Sequence, residues 1–400
     1  MNIQTLKSYI QSANVNFLIG SGCSRPFLSV LGNVEKWLTE LSEDKSICEI
    51  SEKIIKASVY KAYFEGAIYP NFSMAPVDSF NGSANEYSKF LSIWNEIINK
   101  RGSRLLLKRV NVFTTNVDTL IERAAESGGI ELNDGFRGSV APSFDESNFN
   151  KTISKTSLHF QNVSELPVFD LIKLHGSINW KSIADNKIEN DFYLRTVELI
   201  ENELEAISID CFIDLNFDDG TGHFLPKSYA QLKSDAEAKA AGIDPTSFDK
   251  FLKEYEKLIM VNPTKMKFVT TVMDMHFYEL MRIYSNSLEK ENTLLFTMGF
   301  SFADEHLANL TMRAANANPT LQIIIFAFND AEEDSLKSNL KIKGATQNNN
   351  IYILTPMKLR NNNANDEWSD KLKDIDYFSL EKINKLFRLV DNQIPVSYGK

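Results

Sequence analysis

Six short runs of consecutive apolar residues are spread along the chain, and each of them ends in a turn. The runs are rich in β-branched and aromatic residues, as strands are. Because their apolar residues are continuous rather than alternating, we expect strands that are buried on both faces, as in a parallel sheet. The runs are Asn16–Gly20, Val110–Asn116, Phe169–Gly176, Thr293–Ser301, Leu321–Phe328 and Ile351–Pro356.

Amphipathic helical patterns lie between these runs, for example at residues 34–41, 118–129 and 273–290. Alternation of strands with helices predicts an α/β fold with a doubly wound, Rossmann-like parallel sheet. About 90 residues separate the first two strands and more than 100 separate the third from the fourth. Loops of that length are rarely structureless, so we expect helical insertions there.

These patterns together predict the domain organisation. We expect a Rossmann-like core interrupted by two helical insertions and followed by a helical tail. The core covers residues 1–33, 105–180 and 291–360, the insertions cover 34–104 and 181–290, and the tail covers 361–400.

Composition and charge exclude several classes of protein. The 400 residues are 43% hydrophobic and carry a formal net charge of −10, with one basic cluster at residues 100–109. We therefore expect no direct nucleic-acid binding. The three cysteines, Cys23, Cys48 and Cys211, are far apart and cannot form a disulfide framework or a four-thiolate zinc site, so no metal is expected. The pattern of a signal peptide and apolar runs of membrane-spanning length are both missing, which predicts a cytoplasmic protein without membrane contact.

Polar motifs follow four of the predicted strands. Ligands of open α/β sheets bind at the carboxyl ends of the strands, so we expect the four motifs to meet at one edge. Glycines in the first motif allow a phosphate to approach backbone N–H groups, but Arg25 stands where a dinucleotide-dependent dehydrogenase has its third glycine. The motifs are Gly20–Ser24, Thr114–Asp118, Lys173–Ser177 and Gly299–Asp304.

Each motif alone also has an ordinary structural interpretation. The glycines fit a tight turn, and Asn116 and Asp118 fit a turn followed by a helix cap. His175 fits a structural histidine. Ser301 and Asp304 fit the cap and first-turn acid of a helix.

Taken in order, GSGxS, TTNxD, KLHGS and GFSFAD resemble the motifs of the sirtuin family, in its bacterial sirtuin-like NADase branch. The segment Val261–Phe268 is a weaker similarity. The resemblance implies that the glycine turn holds the pyrophosphate of NAD, that Asn116 and Asp118 flank the nicotinamide ribose, and that His175 is the catalytic base. The other implied NAD-binding residues are Gly20, Ser21, Gly22, Ser24, Thr115, Gly299 and Ser301.

Two features of sirtuin deacylases are missing from the sequence. Deacylases carry a zinc ribbon on four cysteines and a Gly-Ile-Pro-x-Phe-Arg segment after the glycine turn, whereas this chain has three cysteines and RPFLSVLGNVEKW. Both features serve the acyl-lysine substrate, so we expect water as the acceptor and an NAD+ hydrolase that releases nicotinamide and ADP-ribose. There are two alternatives to hydrolysis. The chain is a non-catalytic subunit that binds NAD or ADP-ribose, or it is a protein deacylase or ADP-ribosyltransferase.

The resemblance also implies a biological setting. Sirtuin-like NADases of this size resemble antiphage effectors whose activity is gated, because free NAD hydrolysis kills the cell. About 44 residues follow the last predicted strand, too few for a second α/β sensor domain. We therefore expect a homo-oligomer with a separate partner, a HerA-type ATPase.

Overall fold

A parallel β-sheet flanked by helices forms the centre of the chain. The computed structural model describes residues 1–28, 33–72, 78–101, 106–183, 187–218, 224–261, 275–342 and 348–394. The strands are β1 (Asn14–Ile19), β2 (Arg109–Thr114), β3 (Leu132–Asn133), β4 (Phe136–Arg137), β5 (Ser143–Phe144), β6 (Ile153–Thr156), β7 (Val163–Leu166), β8 (Val168–Lys173), β9 (Trp180–Ser182), β10 (Ile188–Asn190), β11 (Asn216–Asp218), β12 (Phe224–Pro226), β13 (Thr293–Met298), β14 (Gln322–Phe326) and β15 (Ile351–Leu354).

Helices connect the strands and cover both faces of the sheet. They are α1 (Ile3–Ser12), α2 (Val34–Glu43), α3 (Glu49–Tyr63), α4 (Asp78–Asn99), α5 (Leu120–Gly128), α6 (Arg195–Glu205), α7 (Tyr229–Ala240), α8 (Asp249–Tyr255), α9 (Met275–Glu289), α10 (Glu305–Ala317), α11 (Glu333–Asn339), α12 (Pro356–Asn362), α13 (Ser369–Leu372) and α14 (Leu380–Asp391). Gly129, with φ +60°, ends α5 as a glycine C-cap.

The central sheet has seven strands in the order β15-β14-β13-β1-β2-β8-β3. Neighbouring strands pair in parallel throughout. All six predicted strands lie in this sheet, so the prediction of an α/β, Rossmann-like fold is confirmed. The seventh strand, β3, has only two residues and is too short to produce a sequence pattern.

The order of the strands reverses at the middle of the sheet. The chain runs from β1 to β2 and β8 on one side, and it later returns to β13 on the other side of β1. The connections after β1 and β13 therefore leave in opposite directions and open a crevice at their carboxyl ends. Open α/β sheets bind their ligands in such a crevice.

Alternate residues of β1 face two hydrophobic layers. Phe17 belongs to the layer formed with α4 and α14, where its ring centroid lies 4.9 Å from that of Phe90 and 4.8 Å from that of Trp94. Leu18 faces the opposite layer, formed with α9 and α10. This period of two, with both faces covered, explains why Phe17, Leu18 and Ile19 are all apolar and buried.

A third hydrophobic cluster joins helices from the two predicted insertions. It contains residues of α2 and α3 together with residues of α6, α7 and α8, and the rings of Tyr60 and Tyr255 stack with centroids 4.1 Å apart. Helices α4 and α9 also fall within the predicted insertions, yet they pack in the two layers that cover the sheet. The insertion boundaries themselves stay predictions.

Smaller elements surround the central sheet. Strands β4, β5, β10 and β9 form an antiparallel sheet, and β6–β7 and β11–β12 are separate hairpins. Residues 262–268 of the predicted motif Val261–Phe268 lie outside the described residues. Within the described ranges, none of the helices combines the length and apolarity that crossing a membrane requires.

Candidate functional site

Three glycines bring the turns after β1 and β13 into backbone contact. A Cβ atom on Gly20 would overlap the carbonyl oxygen of Gly299, and one on Gly22 would lie 2.9 Å from the Cα atom of Gly299. Gly299 itself has φ +61°, a conformation that favours glycine. The Gly22 N–H donates to the Gly299 carbonyl oxygen at 3.0 Å. The first and fourth motifs are thus in contact, and this N–H is already used within the protein.

The side chain of Asn116, directly after β2, points at the first motif. Its Nδ2 donates to the carbonyl oxygen of Gly20 at 3.3 Å and to Oγ of Ser24 at 3.1 Å. With both amide hydrogens engaged, Oδ1 faces away from these two acceptors, and it has no hydrogen-bond partner among the described residues although Asn116 is only 7% exposed. An unpartnered buried acceptor costs about 1–3 kcal/mol. The amide is therefore held with its acceptor oxygen available to a ligand hydroxyl.

Ser24 fixes this orientation of Asn116. Its Oγ lies 3.2 Å from Oδ2 of Asp118 and 3.1 Å from the hydroxyl of Tyr87 on α4. A serine hydroxyl has one hydrogen and two lone pairs. When that hydrogen is donated to the carboxylate, the lone pairs accept from Asn116 and Tyr87. Every hydrogen-bonding position of this fully buried hydroxyl is then used.

Asp118 is a buried carboxyl group beside a buried cation. Burial raises the pKa of Asp118, and the charge of Lys173 counteracts that rise. The Lys173 ammonium donates to the Asp118 carbonyl oxygen and forms an ion pair with Glu122 at 2.8 Å. Burial also raises the pKa of Glu122, again against the charge of Lys173. The Lys173 ammonium, at the end of β8, therefore counteracts the effect of burial on two acids that follow β2, Asp118 and Glu122.

Two further groups respond to the same buried charge. Burial, followed by the charge of Asp118, raises the pKa of the Cys23 thiol and that of the Tyr63 hydroxyl, each to about 12. Both groups are neutral at physiological pH.

His175 follows β8 and contacts the fourth motif. Its Nε2 lies 3.1 Å from Oδ2 of Asp304, and the residue is 8% exposed. Its carbonyl oxygen accepts from the N–H of Val261 at 2.9 Å, and the next residue, Gly176, turns the chain with φ +76°. The histidine is thus held by its backbone and by its ring.

The contacts connect all four motifs in a closed series. The first motif touches the second through Ser24, the second touches the third through Lys173, and the third touches the fourth through His175 and Asp304. The fourth returns to the first through Gly299 and Gly22. The predicted convergence of these segments at one sheet edge is what the structure shows.

The remaining predicted residues lie around this series. Ser21 is exposed at the start of a short 3₁₀ turn, Ser21–Ser24. Thr115 donates its N–H to the carbonyl oxygen of Ile19 at 3.3 Å. Ser301 is exposed, and its Oγ accepts from the N–H of Ala303 at 3.4 Å. Within the described residues, the side chains of Ser21 and Thr115 make no hydrogen bond to Asn116 or to its partners.

Structural roles coexist with these contacts. Asp304 caps α10, since its Oδ1 accepts from the N–H groups of His306 and Leu307 at 3.0 and 3.1 Å. Asp118 likewise accepts from the N–H of Leu120 at the start of α5. The side chain of Asn116, in contrast, donates across to the first motif. The cap of α10 is therefore Asp304 and not Ser301, which corrects the predicted assignment. The N-cap of α5 is Thr119, so Asp118 lies one residue before the cap.

Sequence reasoning missed Tyr87 and the second contact of Asp304. Tyr87 lies on an amphipathic helix where an aromatic residue signals core packing, and no local pattern marks it as a partner of Ser24. The Asp304–His175 contact joins segments that follow β13 and β8, which β1 and β2 separate in the sheet. Strand order, which was not predicted, was the information required to find it.

Compared with models of protein families and with curated proteins, the chain matches none. The resemblance to sirtuin-like NADases therefore rests on the four motifs. Within the ranges described, three or more His, Cys, Asp or Glu side chains do not come together in a group able to hold a metal ion.

Proposed function

We propose that this chain is an NAD+ hydrolase that cleaves the bond between nicotinamide and ribose. The observation that carries the proposal is the buried Asn116 amide at the point where the strand order reverses. Gly20 and Ser24 hold this amide, and its acceptor oxygen has no partner among the described residues. An amide in that state is suited to a sugar hydroxyl. The family resemblance supplies NAD as the substrate.

Cleavage of this bond depends more on the orientation of the ribose than on a strong nucleophile. Nicotinamide leaves as a neutral molecule, and positive charge develops on the ribose as in glycoside cleavage. In our proposal Asn116 accepts from a ribose hydroxyl through Oδ1 and fixes the sugar. Asp118 acts through Ser24, which keeps the amide in one orientation.

His175 has the role of general base in this proposal. An imidazole takes a proton at neutral pH, either from a ribose hydroxyl or from the attacking water. Water adds to the anomeric carbon, the bond to nicotinamide breaks, and the water proton passes to the base. The products are nicotinamide and ADP-ribose, and no metal or second cofactor takes part.

The exposed parts of the first and fourth motifs are assigned to the rest of the dinucleotide. Ser21 is exposed beside the glycine turn, and Ser301 is exposed beyond Gly299. In our proposal the pyrophosphate lies along Gly20–Ser24, and the adenosine lies near Gly299 and Ser301. Thr115 belongs to the same binding surface.

The proposal includes the biological setting that the resemblance implies. NAD hydrolysis depletes a metabolite that the cell requires, so the activity is gated and acts in antiphage defence by abortive infection. The chain works in the cytoplasm as a homo-oligomer with a HerA-type ATPase as its partner. These statements rest on the four motifs, not on the fold.

The test is NAD turnover by the purified chain, measured as nicotinamide release by chromatography. The assay is run with the chain alone and with the product of the neighbouring gene added. Release of nicotinamide together with free ADP-ribose in either condition supports hydrolysis. Tight NAD binding without release in both conditions supports a regulatory subunit, and transfer of label from NAD to protein supports a transferase.

A further inference from the structure

The His175–Asp304 pair joins the segments that follow β8 and β13, two strands that are not neighbours in the central sheet. The His175 and Asp304 side chains are 10% and 14% exposed, and Nε2 lies 3.1 Å from Oδ2. Strands β1 and β2 lie between the strands from which the two residues extend. The contact therefore encloses the carboxyl ends of β1 and β2, where Gly20 and Asn116 lie.

The Asp304 carboxylate is itself fixed before it meets the histidine. Its Oδ1 accepts from two N–H groups at the start of α10, those of His306 and Leu307. A carboxylate that caps a helix in this way has one orientation, and the helix dipole favours its negative charge. Its second oxygen, Oδ2, is then held in place towards Nε2 of His175.

An ionised carboxylate only accepts hydrogen bonds, whereas a neutral imidazole carries hydrogen on one nitrogen only. Contact with Oδ2 therefore selects the tautomer with hydrogen on Nε2 and places the lone pair on Nδ1. A base can accept a proton only through its lone pair, so the partner of one nitrogen determines which nitrogen does the chemistry.

We propose that Asp304 is a positioning residue that holds His175 in the Nε2–H tautomer and makes Nδ1 the basic atom. The role of His175 as a base rests on the proposed NAD hydrolysis, but the tautomer does not. A helix cap alone needs one oxygen, and Asp304 uses both. Asparagine caps helices as well as aspartate does, so the two functions of this residue can be separated by one substitution.

The informative variant is Asp304→Asn. Its carbonyl oxygen retains the cap on α10, while its amide nitrogen now faces Nε2 and donates hydrogen instead of accepting it. His175 then changes to the Nδ1–H tautomer, and its lone pair points at the amide. Ser379, which caps α14 through the N–H of Lys382, provides the matched control Ser379→Asn, where only the capping residue changes.

The experiment records ¹⁵N spectra of the ring nitrogens of the five histidines at a pH where they are neutral, with His175 assigned by its loss in His175→Gln. We expect the Nε2–H tautomer in the wild type and in Ser379→Asn, and the Nδ1–H tautomer in Asp304→Asn. Equal tautomers in the wild type and Asp304→Asn overturn the proposal, as does an Nδ1–H wild type.

Turnover separates this proposal from the proposed function. We expect kcat for nicotinamide release to fall about 10- to 100-fold in Asp304→Asn, with KM for NAD changed less than about twofold, because the base and not substrate binding is affected. A tautomer change with unaltered kcat overturns the positioning role. If the protein shows the predicted tautomers but releases no nicotinamide in any condition, the proposal for Asp304 and His175 stands. The proposed hydrolysis is then contradicted.

Discussion

Gly20 and Gly299 pack backbone against backbone, so closely that a Cβ atom on Gly20 would overlap the carbonyl oxygen of Gly299. The two residues follow adjacent parallel strands, β1 and β13, at the point where the sheet reverses its order. Sirtuin-like motifs would be expected to expose glycine N–H groups to a phosphate. Here at least one of them, that of Gly22, joins the two turns.

We predict that Gly299→Ala destabilises the fold. Its φ of +61° costs about 1–3 kcal/mol for a residue with a Cβ, and the added atom would also overlap Cys23. Urea unfolding measures the change in the free energy of unfolding. Gly82→Ala is the control, because no described residue lies within 4 Å of the added Cβ and alanine favours the helix by about 1 kcal/mol. Equal stability of the two variants contradicts the prediction.

Lys173 is the buried cation beside Asp118 and Glu122, so its removal should destabilise the fold strongly. We expect Lys173→Met to lower the free energy of unfolding by about 3–5 kcal/mol, since Asp118 and Glu122 lose their buried cation. Chemical denaturation at pH 7 gives the value. The surface pair of Lys337 and Glu333, with side chains 44% and 19% exposed, offers the control Lys337→Met, which should cost less than about 1 kcal/mol. Similar losses in both variants argue against a special role of Lys173.

Asp118 is expected to reduce stability while it supports function. Its pKa in the folded chain is raised above the usual 3.8, so the native state binds more protons than the unfolded state just above that pH. Stability therefore falls as pH rises through the interval between the two pKa values. Asp118→Asn removes this effect, and its melting temperature should equal or exceed that of the wild type at pH 7.

The Asp118→Asn variant should nevertheless lose nicotinamide release, since Ser24 no longer donates to a carboxylate. Asp170 is the matched control: it is a buried acid on β8 whose pKa is raised by burial, and it contacts Asn133 and Arg109 away from Asn116. Asp170→Asn should leave turnover unchanged. A strongly destabilised Asp118→Asn, or a fully active one, contradicts this account of the residue.

The cysteines should differ sharply in reactivity. Cys23 is buried with a pKa of about 12, whereas Cys48 is exposed and its pKa is lowered by a hydrogen bond with Ser51. Alkylation with iodoacetamide at pH 8, followed by mass spectrometry, should modify Cys48 at least about 100-fold faster than Cys23. Comparable rates in the folded protein would mean that the first motif is open to solvent.

Local patterns were enough to predict the strands and the polar motifs that follow them. The apolar run at Phe169–Lys173 is buried on both faces, as continuous apolarity indicates. The resemblance implied catalytic roles for Asn116 and His175, and these roles stay predictions. Contacts that depend on strand order were not predictable, and the ring of His175 against Asp304 is the clearest case.

The sequence also did not predict which surface each helix packs against. An amphipathic pattern shows that a helix buries one face, but it does not show against what. Helix α4 covers the sheet and brings Tyr87 to Ser24, while α2 and α3 pack against α7, and α3 also contacts α8. Residues distant in sequence decide these choices.

The most direct test of the account compares nicotinamide release from NAD by the wild type, Asn116→Ala, His175→Ala and the double variant, in the condition in which the wild type is active. We predict that each variant keeps its circular dichroism spectrum and loses turnover by about 100- to 10,000-fold. The double variant should be no worse than about the more impaired single variant, because the two residues serve one sugar. Undiminished release by the folded double variant would contradict the central claim.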